Sequence, residues 1–158
     1  KGIVNAQNIQ FTDIFFSKYM SIINELVDKK VDVGLQGGIN SDIVNRAFWN
    51  EFGTKRIPER SFLRSTLKNK KSDLMERSKV AVKAISYGST IDVELGRLGL
   101  YLETETKNTI LAGNFVPLHP YTIAKKGSSA PLIDTSAMIN SIRFVVKTGV
   151  ADEEESHA

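Results

Sequence analysis

The stretch Ala47-Phe48-Trp49-Asn50-Glu51-Phe52-Gly53-Thr54, followed by Ile57-Pro58-Glu59-Arg60-Ser61-Phe62-Leu63-Arg64, constrains this chain more than any other. It reads as an apolar helix stopped by Gly53, a turn, an extended loop set by Pro58, and the start of a second helix. Glycine ends a helix readily because it enters the left-handed region without steric cost. Proline drives the residue before it out of the helical region, so the next helix begins after Pro58. On this reading Phe48, Trp49 and Phe52 bury the first helix against a sheet, and Ser61 or Ser65 caps the second.

Periodicity places the remaining elements. From Thr12 to Lys30, Phe15, Tyr19, Ile22, Ile23 and Leu26 fall at helical spacing, with Thr12 or Asp13 as the cap. Val31, Val33 and Leu35 alternate as a short strand that Gly37-Gly38 breaks. Asn40-Ser41-Asp42 offers a cap for the helix ending at Phe52. The helix after Pro58 runs from Phe62 to about Ile85, stops at Tyr87-Gly88, and is followed by a long helix from Ile91 to Gly113. Gly96 and Gly99 inside that helix imply either the close approach of another backbone or tolerated surface glycines, each costing about 1 kcal/mol relative to alanine.

Residues 114–131 hold Pro117, Pro120, Gly127 and Pro131 and no sustained period, so they read as a long loop with one helical turn at Tyr121 to Lys125. Asp134 caps a short helix over Thr135 to Asn140, and Ile142, Phe144 and Val146 alternate as a strand. The sum is an α+β fold: a single domain over residues 1–150, with two to three long helices packed on a small mixed or antiparallel sheet and a long ordered loop. Residues 151–158 read as a disordered acidic tail.

A chain of 158 residues can bury roughly two thirds of its unfolded surface and needs no staple. The absence of cysteine removes thiol catalysis, cysteine-based zinc sites and disulfides, and fits a reducing compartment. No apolar run approaches the roughly 18 to 20 residues of a membrane span, and Lys1 onward does not read as a signal peptide, so a soluble protein without membrane contact is expected. Net charge is +3, and without the four acids of the tail it is +7. Lys55, Arg56, Arg60, Arg64, Lys68, Lys70 and Lys71 lie close together against Glu59 alone, a patch suited to phosphate or an acidic protein face, or simply a solvated helix face.

Catalytic chemistry finds little purchase. The only histidines are His119, in the loop, and His157, in the tail, so no nucleophile and base pair can be argued, and His119 reads as a loop hydrogen-bonding residue. Lys125-Lys126-Gly127-Ser128-Ser129 lacks the spacing of a phosphate-binding loop. The tail acids lack the glycine turn of a calcium loop. No catalytic, cofactor-binding or metal site is predicted, and no enzyme.

The block from Ala47 to Arg64 and a second block, Lys125-Lys126-Gly127-Ser128-Ser129-Ala130-Pro131-Leu132-Ile133-Asp134-Thr135, occur in this order with the strand Val31 to Leu35 upstream. Together they resemble the tail-completion (head-tail joining, virion morphogenesis) proteins of tailed bacteriophages and prophages. The resemblance runs from Val31 to Val146. Ser61 and Ser65 stand where that family usually has proline, and Ser136 where it usually has glycine.

The resemblance implies a structural virion protein of the phage neck, assembled in the host cytoplasm, that completes the head-proximal end of the tail and joins it to the head connector. It implies a homo-oligomeric ring, a hexamer or a dodecamer, touching the head connector or stopper and the tail terminator or tail-tube proteins. Nonspecific DNA contact in the channel would need only the charge. Alternatives are a tail terminator, a head-closure protein, or a basic nucleic-acid-binding regulator. Within the blocks, Phe48, Trp49, Glu51, Phe52, Gly53, Pro58, Phe62, Leu63, Pro131, Leu132 and Asp134 are assigned to the fold. Arg56, Arg60, Arg64, Phe115, Leu118, Tyr121, Ile123, Lys125 and Lys126 are the candidates for contacts between subunits or rings.

Overall fold

The chain forms α1 (Ala6–Val27), β1 (Lys29–Leu35), α2 (Ser41–Phe52), α3 (Phe62–Asn69), α4 (Lys71–Ser86), α5 (Ile91–Ala112), α6 (Pro120–Lys126), α7 (Ala137–Ser141) and β2 (Ile142–Thr148). The structure is a computed structural model and describes residues 6–127, 129–132 and 136–149, with side chains from residue 16 onward except that of Lys126. Among these residues the fold is α+β, helices joined by one antiparallel pair of strands, β1 and β2. The expected cap Asp134 and the acidic tail lie outside the described residues. Internal contacts divide the described residues into two compact units, those between 31 and 146 and residues 6–30 with 147–149.

In the larger unit α5 is the spine, packed along α3 and α4, while α2 rests on α3 and α7. The core gathers Ala47, Phe62, Ile110, Ile139 and Ile142, ringed by half-buried Leu35, Leu63, Phe115, Leu132 and Met138. Phe62 of the first sequence block and Leu132 of the second therefore meet in one core. β2 crosses α5 at its glycines: a Cβ at Gly99 would lie 2.4 to 3.0 Å from the Phe144 side chain, and one at Gly96 would lie 4.0 Å away. Of the two alternatives, close packing holds at Gly99, where the Phe144 side chain and its Cβ press on the helix, while Gly96 has room for a side-chain methyl.

The helix expected over 62–85 is two helices. Lys70, at φ −100 and ψ 8, leaves the helical region between α3 and α4, and its ammonium lies 2.7 Å from Glu105 on α5. No proline or glycine marks that break in the sequence. Asn40 caps α2 as expected, its side chain accepting from the Asp42 N–H at 2.8 Å. The loop after α5 contains α6, with Pro120 at its first turn, His119 Nδ1 accepting from the Tyr121 N–H at 3.2 Å, and Gly127 closing it at φ 72. His119 is thus a capping residue. Ser136 opens α7 at φ 58, a left-handed conformation that glycine adopts at less cost.

In the smaller unit α1 begins at Ala6, so Thr12 and Asp13 lie inside the helix and do not cap it. Glu25 and Lys29 pair at 3.2 Å, and the Gly149 N–H donates to the Asp28 carbonyl at 3.0 Å. Phe16, Tyr19, Met20, Ile23 and Val27 are exposed.

Candidate functional site

The first sequence block folds into a corner between α2 and α3 held by charged side chains. Glu51 projects from the same side of α2 as Ala47, one turn away, and is 3% exposed. Its two carboxylate oxygens accept from the backbone N–H groups of Leu63 and Arg64, each at 2.9 Å. Those amides belong to the first turn of α3, where no intrahelical acceptor exists and the helix dipole favours negative charge. Glu51 is therefore the cap of α3, from eleven residues upstream of its start. Ser61 stands at the cap position but makes no side-chain capping bond, and Ser65 donates instead to the Ser61 carbonyl within the helix.

Between the helices the chain turns tightly. Gly53 sits at φ 73 and ψ 172, a region essentially closed to other residues, and a Cβ there would lie 3.0 Å from the Glu59 nitrogen. This is not the left-handed helical cap that the sequence suggests, yet it requires glycine more strictly. Thr54 Oγ1 accepts from the Arg56 and Ile57 N–H groups at 3.2 and 3.0 Å, and the Arg60 N–H donates to the Asn50 carbonyl at 2.6 Å.

Arg60 corrects an expectation. Assigned to an interface, it is 5% exposed. Its guanidinium donates through Nε to the Val116 carbonyl at 2.7 Å, through Nη2 to the Pro117 carbonyl at 3.1 Å, and through Nη1 to Asn50 Oδ1 at 3.2 Å. Burial lowers its pKa from the ordinary arginine value. A planar fork reaching three acceptors is what arginine supplies and lysine does not. Arg60 thereby ties the loop after α5 to the α2–α3 corner of its own chain. Phe115, another expected interface residue, packs against the same chain's core, and Leu118 and Ile123 are half-buried.

Arg64 is half exposed and engaged, its Nε 3.1 Å from Glu51 Oε1 and its Nη2 2.9 Å from Glu59 Oε1. It also lies over the Phe52 ring, 4.7 Å from the centroid. With Arg60 buried, Arg64 paired and Lys70 on Glu105, the basic stretch presents Lys55, Arg56, Lys68 and Lys71 as its exposed cations. Tyr121 and Lys125 are exposed on α6. Nothing is described of the Lys126 side chain or of Asp134.

Phe48, Trp49 and Phe52 depart furthest from expectation. They do not bury α2 against the sheet but stand outward, 59%, 44% and 53% exposed, with Val44 beside them. The Phe48 and Phe52 rings touch, centroids 4.8 Å apart. The core side of α2 is instead Ala47 and Glu51. Glu51 one turn from Ala47, the side of α2 without a large apolar residue, was the available signal. The polar partners Asn50 and the Val116 and Pro117 carbonyls left no such trace.

Between α4 and α5 lies a cavity of about 450 Å³ lined by Asp73, Arg77, Ala81, Glu94, Arg97 and Leu98. Its charges are turned on their neighbours: Arg97 lies 2.6 Å from Glu94, Arg77 stacks 4.0 Å over the Tyr101 ring, and the Tyr101 hydroxyl bonds Asp73 at 3.2 Å. Among the described residues no His, Cys, Asp and Glu gather as a metal site, and no helix is long and apolar enough to cross a membrane. No family model, curated protein or solved structure matches this chain.

Proposed function

We propose that this protein is a structural subunit of the phage neck, forming an oligomeric ring that completes the head-proximal end of the tail and joins it to the head connector. The observation that carries the reading is the pair of ordered sequence blocks at residues 47–64 and 125–135. Two features of the fold support it. Phe62 and Leu132, one from each block, pack into one core, and Glu51, Arg60 and Arg64 brace a single corner, so the blocks act as one framework. The outer side of α2 exposes Val44, Trp49 and the touching pair Phe48 and Phe52, and clustered exposed apolar side chains mark sites of association.

In this reading the ring has six copies, or twelve where it follows the connector, built by head-to-tail contacts between identical subunits. The connector or stopper lies on one side and the tail terminator or tail tube on the other. Lys55, Arg56, Lys68 and Lys71 are the cations for nonspecific contact with DNA in the channel, a contact that salt would weaken. The protein works by binding, without a catalytic step, and resides in the virion after assembly in the host cytoplasm.

A null mutant tests the reading. Full heads and separate, complete tails are expected in its lysate. Empty heads would move the protein to head closure, and normally joined particles would contradict a neck role.

A further inference from the structure

Large apolar side chains left facing water side by side on a helix mark a place where another surface docks. Helix α2 carries such a row: Ala47 and Glu51 face the core, while Val44, Phe48 and Phe52, with Trp49 further round, are exposed. A second exposed apolar face runs along α1. There Tyr19, Ile23 and Val27 make one row at four-residue spacing, Phe16 and Met20 make another, and a groove lies between the rows. The outer ridge of α2, Val44 to Phe48 to Phe52, has the same spacing. It spans about 12 Å, the same length as the row from Tyr19 to Val27. Ridges at four-residue spacing seat in such grooves in the commonest helix-packing class, at a crossing angle of about −50°.

We propose that α1 of one copy lies across the outer face of α2 of a second copy. Two different faces on one chain make a heterologous contact, which passes from copy to copy and closes into a ring when the rotation divides the circle. Pairing α2 with α2 would stop at a dimer. The exposed fractions of these nine side chains correspond to roughly 900 Å² of mainly apolar area. Covered in full, and with about 60% of an interface apolar, they correspond to a contact of at most about 1,500 Å², within the range of stable specific interfaces. The closure into a ring rests on the neck reading above; the pairing of the two helices does not.

The chain contains no cysteine, so crosslinks can be placed without background. Full-length Ile23→Cys and Phe48→Cys chains are mixed under mild oxidation, and a double variant carrying both substitutions is oxidised alone. The mixed disulfide dimer should dominate over either self-dimer, and the double variant should give a ladder of covalent oligomers. Phe48→Asp, at an exposed position and with its fold checked by circular dichroism, should raise the dissociation constant of self-association at least about tenfold in sedimentation velocity. Closure of the double variant within a single chain, self-dimers of Phe48→Cys alone, or a protein monomeric at all concentrations would overturn the proposal. A covalent ladder from a protein whose null mutant still yields joined particles would leave this pairing standing and remove the neck reading. Loss of tail joining together with intrachain closure would do the reverse.

Discussion

Glu51 on α2 and Arg64 on α3 are joined through both backbone and side chain: one carboxylate oxygen of Glu51 accepts from the Arg64 N–H at 2.9 Å and from Arg64 Nε at 3.1 Å. The other oxygen takes the Leu63 N–H. Glu51→Ala removes a cap and leaves two amides of α3 without acceptors, and should cost about 2 to 4 kcal/mol. Glu51→Gln keeps one acceptor oxygen and should cost about 1 to 2 kcal/mol. Denaturant midpoints measure both, and equal midpoints for wild type and Glu51→Ala would refute the cap.

Gly99 and Gly96 provide a matched pair. Gly99→Ala drives a methyl group into Phe144 near that residue's own backbone, where the ring cannot swing aside, and should cost about 1 to 3 kcal/mol despite alanine's better helix propensity. Gly96→Ala places its methyl in ordinary contact and should gain up to about 1 kcal/mol. Thermal melting of the two variants should move in opposite directions.

Phe62 and Phe52 should also separate. Phe62 is fully buried, so Phe62→Ala should cost about 3 to 5 kcal/mol. Phe52 is half exposed and contributes chiefly its contacts with Phe48 and Arg64, so Phe52→Ala in the monomer should cost about 1 kcal/mol. Chemical denaturation at concentrations too low for association distinguishes the two.

That contrast marks where sequence reasoning stops. The elements were legible because Gly53, Tyr87-Gly88 and Gly113 punctuate them and the apolar period runs true between these points. Which side of α2 faces inward was not legible, because its large apolar side chains Phe48, Trp49 and Phe52 stand outward while its core side is identified by Ala47 and by Glu51, a residue normally assigned to solvent. Arg60 was hidden for the same reason. Within a stretch of seven basic residues nothing separates Arg60, which folds inward, from Lys55, Arg56, Lys68 and Lys71, which stay in water. The break at Lys70, where the side chain pairs with Glu105 of α5, has no local signature in the sequence.

Glu103 links stability to pH. Burial alone would raise its pKa, but hydrogen bonds from Lys107 and from the Phe144 N–H, with the charges of Lys107 and Arg143, outweigh this and hold it below the ordinary 4.5. The folded state therefore favours the carboxylate, and that stabilisation is present above pH 4.5 and is lost as pH falls through the folded value. Glu103→Gln should be less stable than wild type at neutral pH, with the gap narrowing as the solution is acidified below that point. A gap that widens on acidification would reverse the sign.

The neck assignment is tested most directly by counting copies of the chain in purified, joined virions by quantitative mass spectrometry, with the portal protein as the internal standard. A ring component predicts about six copies per particle, or about twelve where it follows the connector. Its absence from purified virions, or a presence in the hundreds as for a capsid or tail-tube subunit, would contradict the account.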